Sequence, residues 1–241
     1  MELIMIFSAH QPNYFPYLGL FYKIYKSDYF VFLDDVQFTK SSGPAHDRNI
    51  LFDGNKIMYL KVPIKYHFKD KINEVKINNS IDWVNNHISK MSACYSKAPF
   101  FETVMNEIRP LLSFEYSNLA ELNIAIIKHI CNRSGIGGTF VKSSSYNCQR
   151  TKTDRLIELG KNLGCDVYYS GNGAKGYMNC EKMENEGIKV VFSDYIAAAY
   201  TTNGILCKAN MSVLDFLFYY GYDFSVLGWE KNEKRVIDIG F

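Results

Sequence analysis

The sequence lacks a marked excess of charge of either sign. Its 241 residues carry 27 Lys and Arg against 25 Asp and Glu, which gives a formal net charge of +2 at pH 7. Proteins that bind DNA or structured RNA usually present a basic stripe or patch, so we expect no nucleic-acid partner. The hydrophobic content of 47% instead predicts a globular fold with a sizeable core.

Long apolar runs and paired cysteines are missing as well. The apolar run at residues 3–7 is shorter than a signal-peptide core or a membrane span, and no cationic segment precedes it. The six cysteines are widely spaced without a CxxC pair, so we interpret them as reduced thiols rather than a disulfide framework. We therefore expect a cytoplasmic protein without a membrane span.

Metal-binding and standard nucleotide-binding motifs are also absent from the sequence. No His or Cys spacing resembles a zinc site, and the adjacent Asp34 and Asp35 are weak evidence for magnesium, so we predict no metal site. The glycine-containing segment 170–177 matches neither a Walker A motif nor GxGxxG. The sequence specifies no cofactor and leaves the oligomeric state open.

What the chain does contain is an alternation of apolar runs with helical patterns. This predicts an α/β fold with a mainly parallel sheet, a Rossmann-like β-α-β start and a helical insert or lobe. We assign residues 1–80 and 136–241 to the α/β core and 81–135 to the insert, with a long loop at 38–55. The predicted strands are 3–8, 29–33, 57–64, 71–77, 139–143, 166–169 and 189–192, and the predicted helices are 18–26, 81–95, 99–112, 117–134, 153–163, 179–186 and 212–220. Ser117 is a possible helix N-cap, and Thr151 to Asp154 form a possible capping box.

A dense group of hydrogen-bonding side chains follows the first predicted strand. His10 is flanked by Gln11, Asn13 and Tyr14. Ligands of parallel sheets bind beyond the carboxyl ends of the strands, so His10 is a candidate general acid or base. A purely structural role, in which His10 only fixes its loop beside two prolines, is an equally weighted alternative.

Charged residues follow the second predicted strand and its loop. Asp34 and Asp35 could accept hydrogen bonds from sugar hydroxyls or hold an amine, and the competing interpretation is that one of them caps the next turn. Adjacent strand residues point to opposite faces, so we expect only one of the two to face the site. Arg48 could bind a phosphate or carboxylate through both arms of its guanidinium, and a solvated loop position is the simpler alternative.

A glycine-containing segment follows the predicted strand 166–169. Ser170-Gly171-Asn172-Gly173-Ala174-Lys175 precedes a predicted helix, and glycines allow backbone N–H groups to approach a phosphate closely. Lys175 adds a positive charge. The pattern therefore favours an anion cradle, with an ordinary β-α turn as the competing interpretation.

Several motifs together cover nearly the whole chain. They are His10 to Gly19, Ser27-Asp28, Phe32 to Phe38, Arg48-Asn49, Val62-Pro63, Thr151 to Leu156, Tyr169 to Tyr177 and Ser212 to Asp215. In these segments the sequence resembles the WbqC-like protein family. The loop 41–47 departs from that pattern, since it is less aromatic and less basic than the family leads us to expect. The resemblance implies an enzyme associated with bacterial genes for O-antigen and other surface polysaccharides.

The resemblance implies a small sugar or sugar-nucleotide substrate. The leading hypothesis is amide-forming transfer of an acyl or aminoacyl group to a nucleotide-linked amino sugar. In it His10 accepts a proton from the amine, and Asp34 or Asp35 orients the amine. Arg48 with Lys175 holds the phosphate, and Ser170 or backbone N–H groups near Gly171 stabilise the oxyanion. The candidate substrate contacts are Gln11, Asn13, Tyr14, Gln37, Lys40, Arg48, Asn49, Ser170, Gly171, Lys175 and Tyr177.

Two alternatives remain open on the sequence. The order of strand, His10 loop, helix, Ser27-Asp28 and strand is similar to the opening of nucleotidyltransferases and class I synthetases. This would make the protein an ATP- or CTP-dependent activating enzyme, although Asn13 and Tyr14 stand where the second His of such a motif belongs. A non-catalytic sugar-nucleotide-binding protein is the other alternative, because aromatic side chains and polar loops suffice for binding.

Overall fold

The structure, a computed structural model, describes residues 4–196, 200–202, 205–206 and 211–229. In chain order the described strands are β1 (Ile6–His10), β2 (Tyr29–Phe32), β3 (Arg48–Phe52), β4 (Ile57–Lys61), β5 (Ile64–Lys65), β6 (Lys76–Ile77), β7 (Thr139–Lys142), β8 (Val167–Ser170), β9 (Lys189–Phe192), β10 (Thr201–Thr202) and β11 (Ile205–Leu206). The described α-helices are α1 (Leu18–Tyr25), α2 (Trp83–Tyr95), α3 (Phe101–Ser113), α4 (Leu119–Ser134), α5 (Lys152–Leu163), α6 (Cys180–Asn185) and α7 (Val213–Tyr220).

Five parallel strands form the central sheet, in the order β7-β2-β1-β8-β9. Numbered along the chain, these strands have the order 3-2-1-4-5, which is the arrangement of doubly wound nucleotide-binding folds. The predicted α/β fold with a mainly parallel sheet is confirmed. The order reverses between β1 and β8, and at such a point the connections leave in opposite directions and open a crevice beyond the strand ends.

Apolar layers cover both faces of the sheet. Phe30 and Phe32 on β2 pack in a core with α1, α2, α3, α4 and α7. Val31, which points to the opposite face, packs in a second core with α5 and α6. A Cβ at Gly160 on α5 would lie 2.8 Å from the Phe7 ring, so glycine allows α5 to approach β1 closely. Burial on both faces explains why these strands read as continuous apolar runs.

The helices α2 to α4 share their apolar core with α1, β2 and α7. α4 begins at its N-cap Asn118, whose side chain accepts the Glu121 N–H, so the predicted cap at Ser117 is wrong by one residue. Thr151 is the N-cap of α5, but its side chain makes no capping bond, and the predicted capping box is also wrong. The division of the chain into an α/β core and an insert at 81–135 stays a prediction.

Two segments between β2 and α2 differ from the prediction. The expected loop 38–55 contains β3, which pairs with β4 in an antiparallel hairpin. Asp53 closes the hairpin turn by accepting the backbone N–H groups of Asn55 and Lys56. The expected strand 71–77 is a 3₁₀ turn, Ile72–Glu74, followed by the two-residue β6. Tertiary packing determines the structure of both segments. A segment becomes a strand only where a neighbouring strand supplies partners for its backbone N–H and C=O groups.

Candidate functional site

A cavity of about 600 Å³ opens at the carboxyl ends of β1 and β8, where the strand order reverses. α1 and the first turn of α5 form two of its walls, and the loop after β8 forms a third. Tyr17, Tyr177 and Tyr195 line it as well, and Tyr177 is 78% exposed. A volume of this size is typical of pockets for drug-sized ligands.

His10 is the last residue of β1 and lines this cavity. Its Nδ1 lies 2.8 Å from the Gln11 carbonyl oxygen, so Nδ1–H donates and Nε2 carries the lone pair. Burial, and then the positive charge of Lys23, lowers the pKa of His10 to about 4. The imidazole is therefore neutral at pH 7 and offers Nε2 as an acceptor or base.

The polar side chains after His10 separate into cavity-facing and core positions. Gln11 lines the cavity, and its Oε1 lies 2.8 Å from His46 Nε2. Tyr14 is fully buried and its hydroxyl donates to His87 Nδ1 over 2.9 Å. Asn49 is also buried, and its Nδ2 donates to the carbonyl oxygens of Tyr14 and Phe15 over 3.1 and 2.6 Å. Tyr14 and Asn49 therefore hold the backbone turn rather than reach the cavity.

Asp34 and Asp35 point to different surroundings. Asp34 accepts hydrogen bonds from the backbone N–H and hydroxyl of Ser144 over 3.0 and 2.7 Å, and borders a smaller polar cavity of about 190 Å³. Asp35 accepts hydrogen bonds from Arg155 and Ser143. Although burial alone raises the pKa of Asp35, these bonds lower it below its ordinary value. Neither aspartate lines the main cavity, but Asp35 holds Arg155, which does.

The loop after β8 supplies a polar wall of the cavity. Ser170, Gly171, Asn172 and Gly173 all line it. A Cβ at Gly171 or Gly173 would meet no atom within 4 Å, and neither residue has a positive φ. Neither packing nor backbone conformation therefore requires glycine at these two positions, so the space in front of the loop is free for a ligand.

Other predicted contacts lie away from the cavity. Arg48 is paired with Asp47, with Nε and Nη2 each 2.9 Å from a carboxylate oxygen. Lys175 is exposed and lies over the Phe192 ring, 5.3 Å from its centroid. Asn13 is partly exposed, Gln37 and Lys40 are exposed, and none of the three lines the cavity. The cavity therefore brings together His10, Gln11, Ser170, Gly171 and Tyr177 from the predicted set.

Lys23 was missed by the sequence interpretation, together with Lys152 and Arg155. These three are the charged residues among those that line the described cavity, and all are basic. The sequence signal for Lys23 is its place inside the apolar helix Leu18–Tyr25, where a cation interrupts a buried face. The cavity thus favours an anionic ligand.

Cys131 and Cys165 lie in the hydrophobic core. Burial raises the pKa of Cys165 to about 12, and Cys131 is fully buried, so these two thiols are core residues. Cys207 lies outside the described residues. Across residues 4–196 and the shorter described stretches, no group of three His, Cys, Asp or Glu could hold a metal ion. None of the described helices has the length and apolarity that crossing a membrane demands.

Comparison with known proteins agrees with the resemblance in the motifs. A family model described as the WbqC-like protein family matches residues 11–225. The chain belongs to the WbqC-like protein family. A relative from Mycobacterium tuberculosis (strain ATCC 25618 / H37Rv), named "Uncharacterized protein Rv1507c", is 30% identical over 213 residues. The match covers 88% of this WbqC-like chain and 92% of the relative. No solved structure matches the chain.

Proposed function

We propose that this WbqC-like protein is a transferase that forms an amide between an acyl or aminoacyl group and the amine of a nucleotide-linked amino sugar. It acts in the biosynthesis of bacterial surface polysaccharides such as O-antigen. The observation that carries the proposal is a neutral His10 in the wall of a cavity whose charged residues are all basic. Such a cavity combines a proton acceptor with affinity for the phosphates of a sugar nucleotide.

The tautomer of His10 defines the direction of proton transfer. Because Nδ1–H donates to the Gln11 carbonyl, Nε2 is left to accept the proton that the sugar amine loses. As this proton moves to Nε2, the amine nitrogen forms a bond to the acyl carbon and gives a tetrahedral intermediate. The bond from that carbon to its leaving group then breaks, and the leaving group departs with the bonding electrons and takes up the proton from His10. The Gly171–Gly173 segment lines the same cavity, and in this proposal its backbone N–H groups stabilise the negative oxygen of the intermediate.

The rim of the cavity supports a sugar or nucleoside as the neutral part of the ligand. Tyr17, Tyr177 and Tyr195 line it, and Tyr17 and Tyr195 have ring centroids 6.4 Å apart at 65°. Aromatic rings stack on sugar rings and on bases, with hydroxyl groups available for hydrogen bonds. The leading substrate therefore combines a phosphate, a sugar and a base within one small molecule.

The test is turnover of nucleotide-linked amino sugars with acyl and aminoacyl donors, measured by mass spectrometry of the sugar product. We expect His10→Gln to reduce turnover by roughly 10²–10⁴-fold, because positioned proton transfer contributes a factor of that size. His67→Gln is the matched control, since the His67 side chain is 97% exposed. Full turnover in both His10→Gln and His10→Ala would contradict the proposed role.

The strand order favours one second candidate, an ATP- or CTP-dependent activating enzyme. His10 ends the first strand at the point where the 3-2-1-4-5 order reverses, which is where doubly wound folds bind nucleotides. Release of pyrophosphate from ATP or CTP with a candidate acid is the measurement that favours this enzyme. Tight binding of a sugar nucleotide with no consumption of any co-substrate favours a non-catalytic binding protein instead.

A further inference from the structure

Lys23 occupies an unusual position for a lysine. It lies on α1 with 7% of its surface exposed. Its Nζ donates to the Ala9 carbonyl oxygen over 2.8 Å and lies 5.9 Å from the centroid of the Tyr168 ring. Lys23, Ala9 and Tyr168 all line the main cavity. The side chain is therefore held against the floor of the cavity by β1 and β8.

No carboxylate compensates this charge within the described part of the chain. None of the ion pairs there includes Lys23, and the one hydrogen bond to Ala9 uses a single one of the three ammonium donors. Burial lowers the pKa of Lys23 to about 8. A buried cation without a counter-charge is costly, and most lysines in such places pair with an anion.

We propose that Lys23 anchors a phosphoryl oxygen of the ligand at the floor of the cavity. This deepens the proposed function and rests on it, because it assigns the phosphate of the sugar nucleotide to a particular residue. In this proposal Lys23 takes the phosphate-binding role that the sequence led us to expect for Arg48 and Lys175. Both of those residues lie outside the cavity lining.

Two further features of the cavity fit a phosphoryl group. Arg155 lines it, and its Nε is buried without a hydrogen-bond partner among the described residues. On the loop after β8, the open space in front of Gly171 and Gly173 leaves room for an anion to approach the backbone. A phosphate has enough oxygens to accept from a lysine, an arginine and a backbone loop together, whereas a carboxylate has two.

Binding of an anion to Lys23 also changes the pKa of His10. The charge of Lys23 contributes to the low pKa of His10, after burial. An anion bound to Lys23 offsets that charge, so the pKa of His10 rises toward the value of about 7 at which a general base works best. The groups that face Lys23 in the described structure are His10, Tyr168 and the Ala9 carbonyl, and none of them is an acid with a low ordinary pKa.

The first experiment is isothermal calorimetry of pyrophosphate, UDP and acetate with the wild type and with Lys23→Gln. We expect pyrophosphate and UDP to bind the wild type and to lose roughly 10–100-fold in affinity in Lys23→Gln, since a charge-assisted hydrogen bond is removed. Lys97→Gln is the matched control, because Lys97 is exposed and lies outside the cavity lining. Its affinity for pyrophosphate should equal that of the wild type.

Three results would overturn the proposal that Lys23 binds a phosphoryl oxygen. They are unchanged pyrophosphate affinity in Lys23→Gln, no binding of pyrophosphate or UDP to the wild type, and acetate binding that depends on Lys23 while pyrophosphate does not bind. Binding is measured without an acyl donor, so a failure of transfer activity leaves this result intact. Conversely, the anchor can fail while His10→Gln still abolishes transfer.

A second measurement on the wild type keeps the test independent of whether Lys23→Gln folds. UDP-N-acetylglucosamine keeps the charge of its diphosphate from about pH 7 to about pH 9, so a change in its affinity reports on the protein. Because only the ammonium form of Lys23 binds the anion, affinity should fall roughly tenfold per pH unit above about pH 8. Histidine NMR should show the pKa of His10 rising on addition of pyrophosphate. A flat pH profile together with an unchanged His10 pKa overturns the proposal.

Discussion

Acidification should destabilise the protein through His87, which joins α2 to the turn after β1. The Tyr14 hydroxyl donates to His87 Nδ1 over 2.9 Å, and Nε2–H donates to the Lys61 carbonyl oxygen over 3.2 Å. Burial raises the pKa of Tyr14, so the phenol keeps its proton. Both nitrogens of the neutral imidazole are thus satisfied, and protonation of Nδ1 would remove the acceptor on which Tyr14 depends.

The size of the effect follows from the pKa of His87. Burial lowers it from 6.5 to about 4, so as the pH falls below 6.5 the unfolded chain takes up a proton before the folded one does. Stability is therefore lost between pH 6.5 and about 4. By linkage, His87 alone reduces the free energy of unfolding by about 2 kcal/mol between about pH 7 and pH 5, and by about 3 kcal/mol once both states are protonated.

Urea denaturation across this pH range measures the effect. His87→Gln keeps an acceptor for Tyr14 and a donor for Lys61 but does not titrate. The wild type should lose about 2 kcal/mol relative to His87→Gln between about pH 7 and pH 5. Because His10 titrates in both proteins, its contribution cancels in the difference. His67→Gln, at an exposed position, should follow the wild type. Parallel pH profiles of the wild type and His87→Gln would refute the reasoning.

Two substitutions test the cavity wall and the turn that follows His10. Gly173→Ala should raise the free energy of unfolding by about 0.4–1 kcal/mol, measured by urea denaturation, while it weakens pyrophosphate binding in calorimetry. Destabilisation, or unchanged binding, would contradict this. Asn123→Ala should lower the free energy of unfolding by about 2–5 kcal/mol, because the buried Pro12 and His46 carbonyls lose a shared amide donor at 2.9 and 2.8 Å. The exposed Asn86→Ala should change it by less than about 0.5 kcal/mol, and an equal effect in both variants would argue against the role of Asn123.

The fold was predictable wherever an element is determined by its own pattern. The strands β1, β2, β8 and β9 are apolar runs bounded by polar loops, and burial on both faces of a parallel sheet produces that pattern. β3 was missed because it begins with Arg48 and Asn49, whose side chains are satisfied by Asp47 and by the backbone of Tyr14 and Phe15. These hydrogen bonds form only in the folded chain and cannot be seen in the sequence pattern. The polar start of this strand was therefore interpreted as a loop.

The sequence by itself determined that the chain is an α/β protein of the WbqC-like family and that polar residues follow its strands. It therefore located His10, Gln11, Ser170 and Gly171, since the ends of parallel strands meet at one edge of a sheet. Only the tertiary structure decided which polar side chains reach the cavity. The Tyr14 side chain is buried in the core, where it bonds His87 on α2. The Lys23 side chain lies at the cavity, because packing of α1 places it against Ala9 on β1 and Tyr168 on β8. A lysine on a helix normally faces water. The apolar pattern of Leu18–Tyr25 places Lys23 on a buried face, but it does not show that the side chain lies at the cavity against Ala9 and Tyr168.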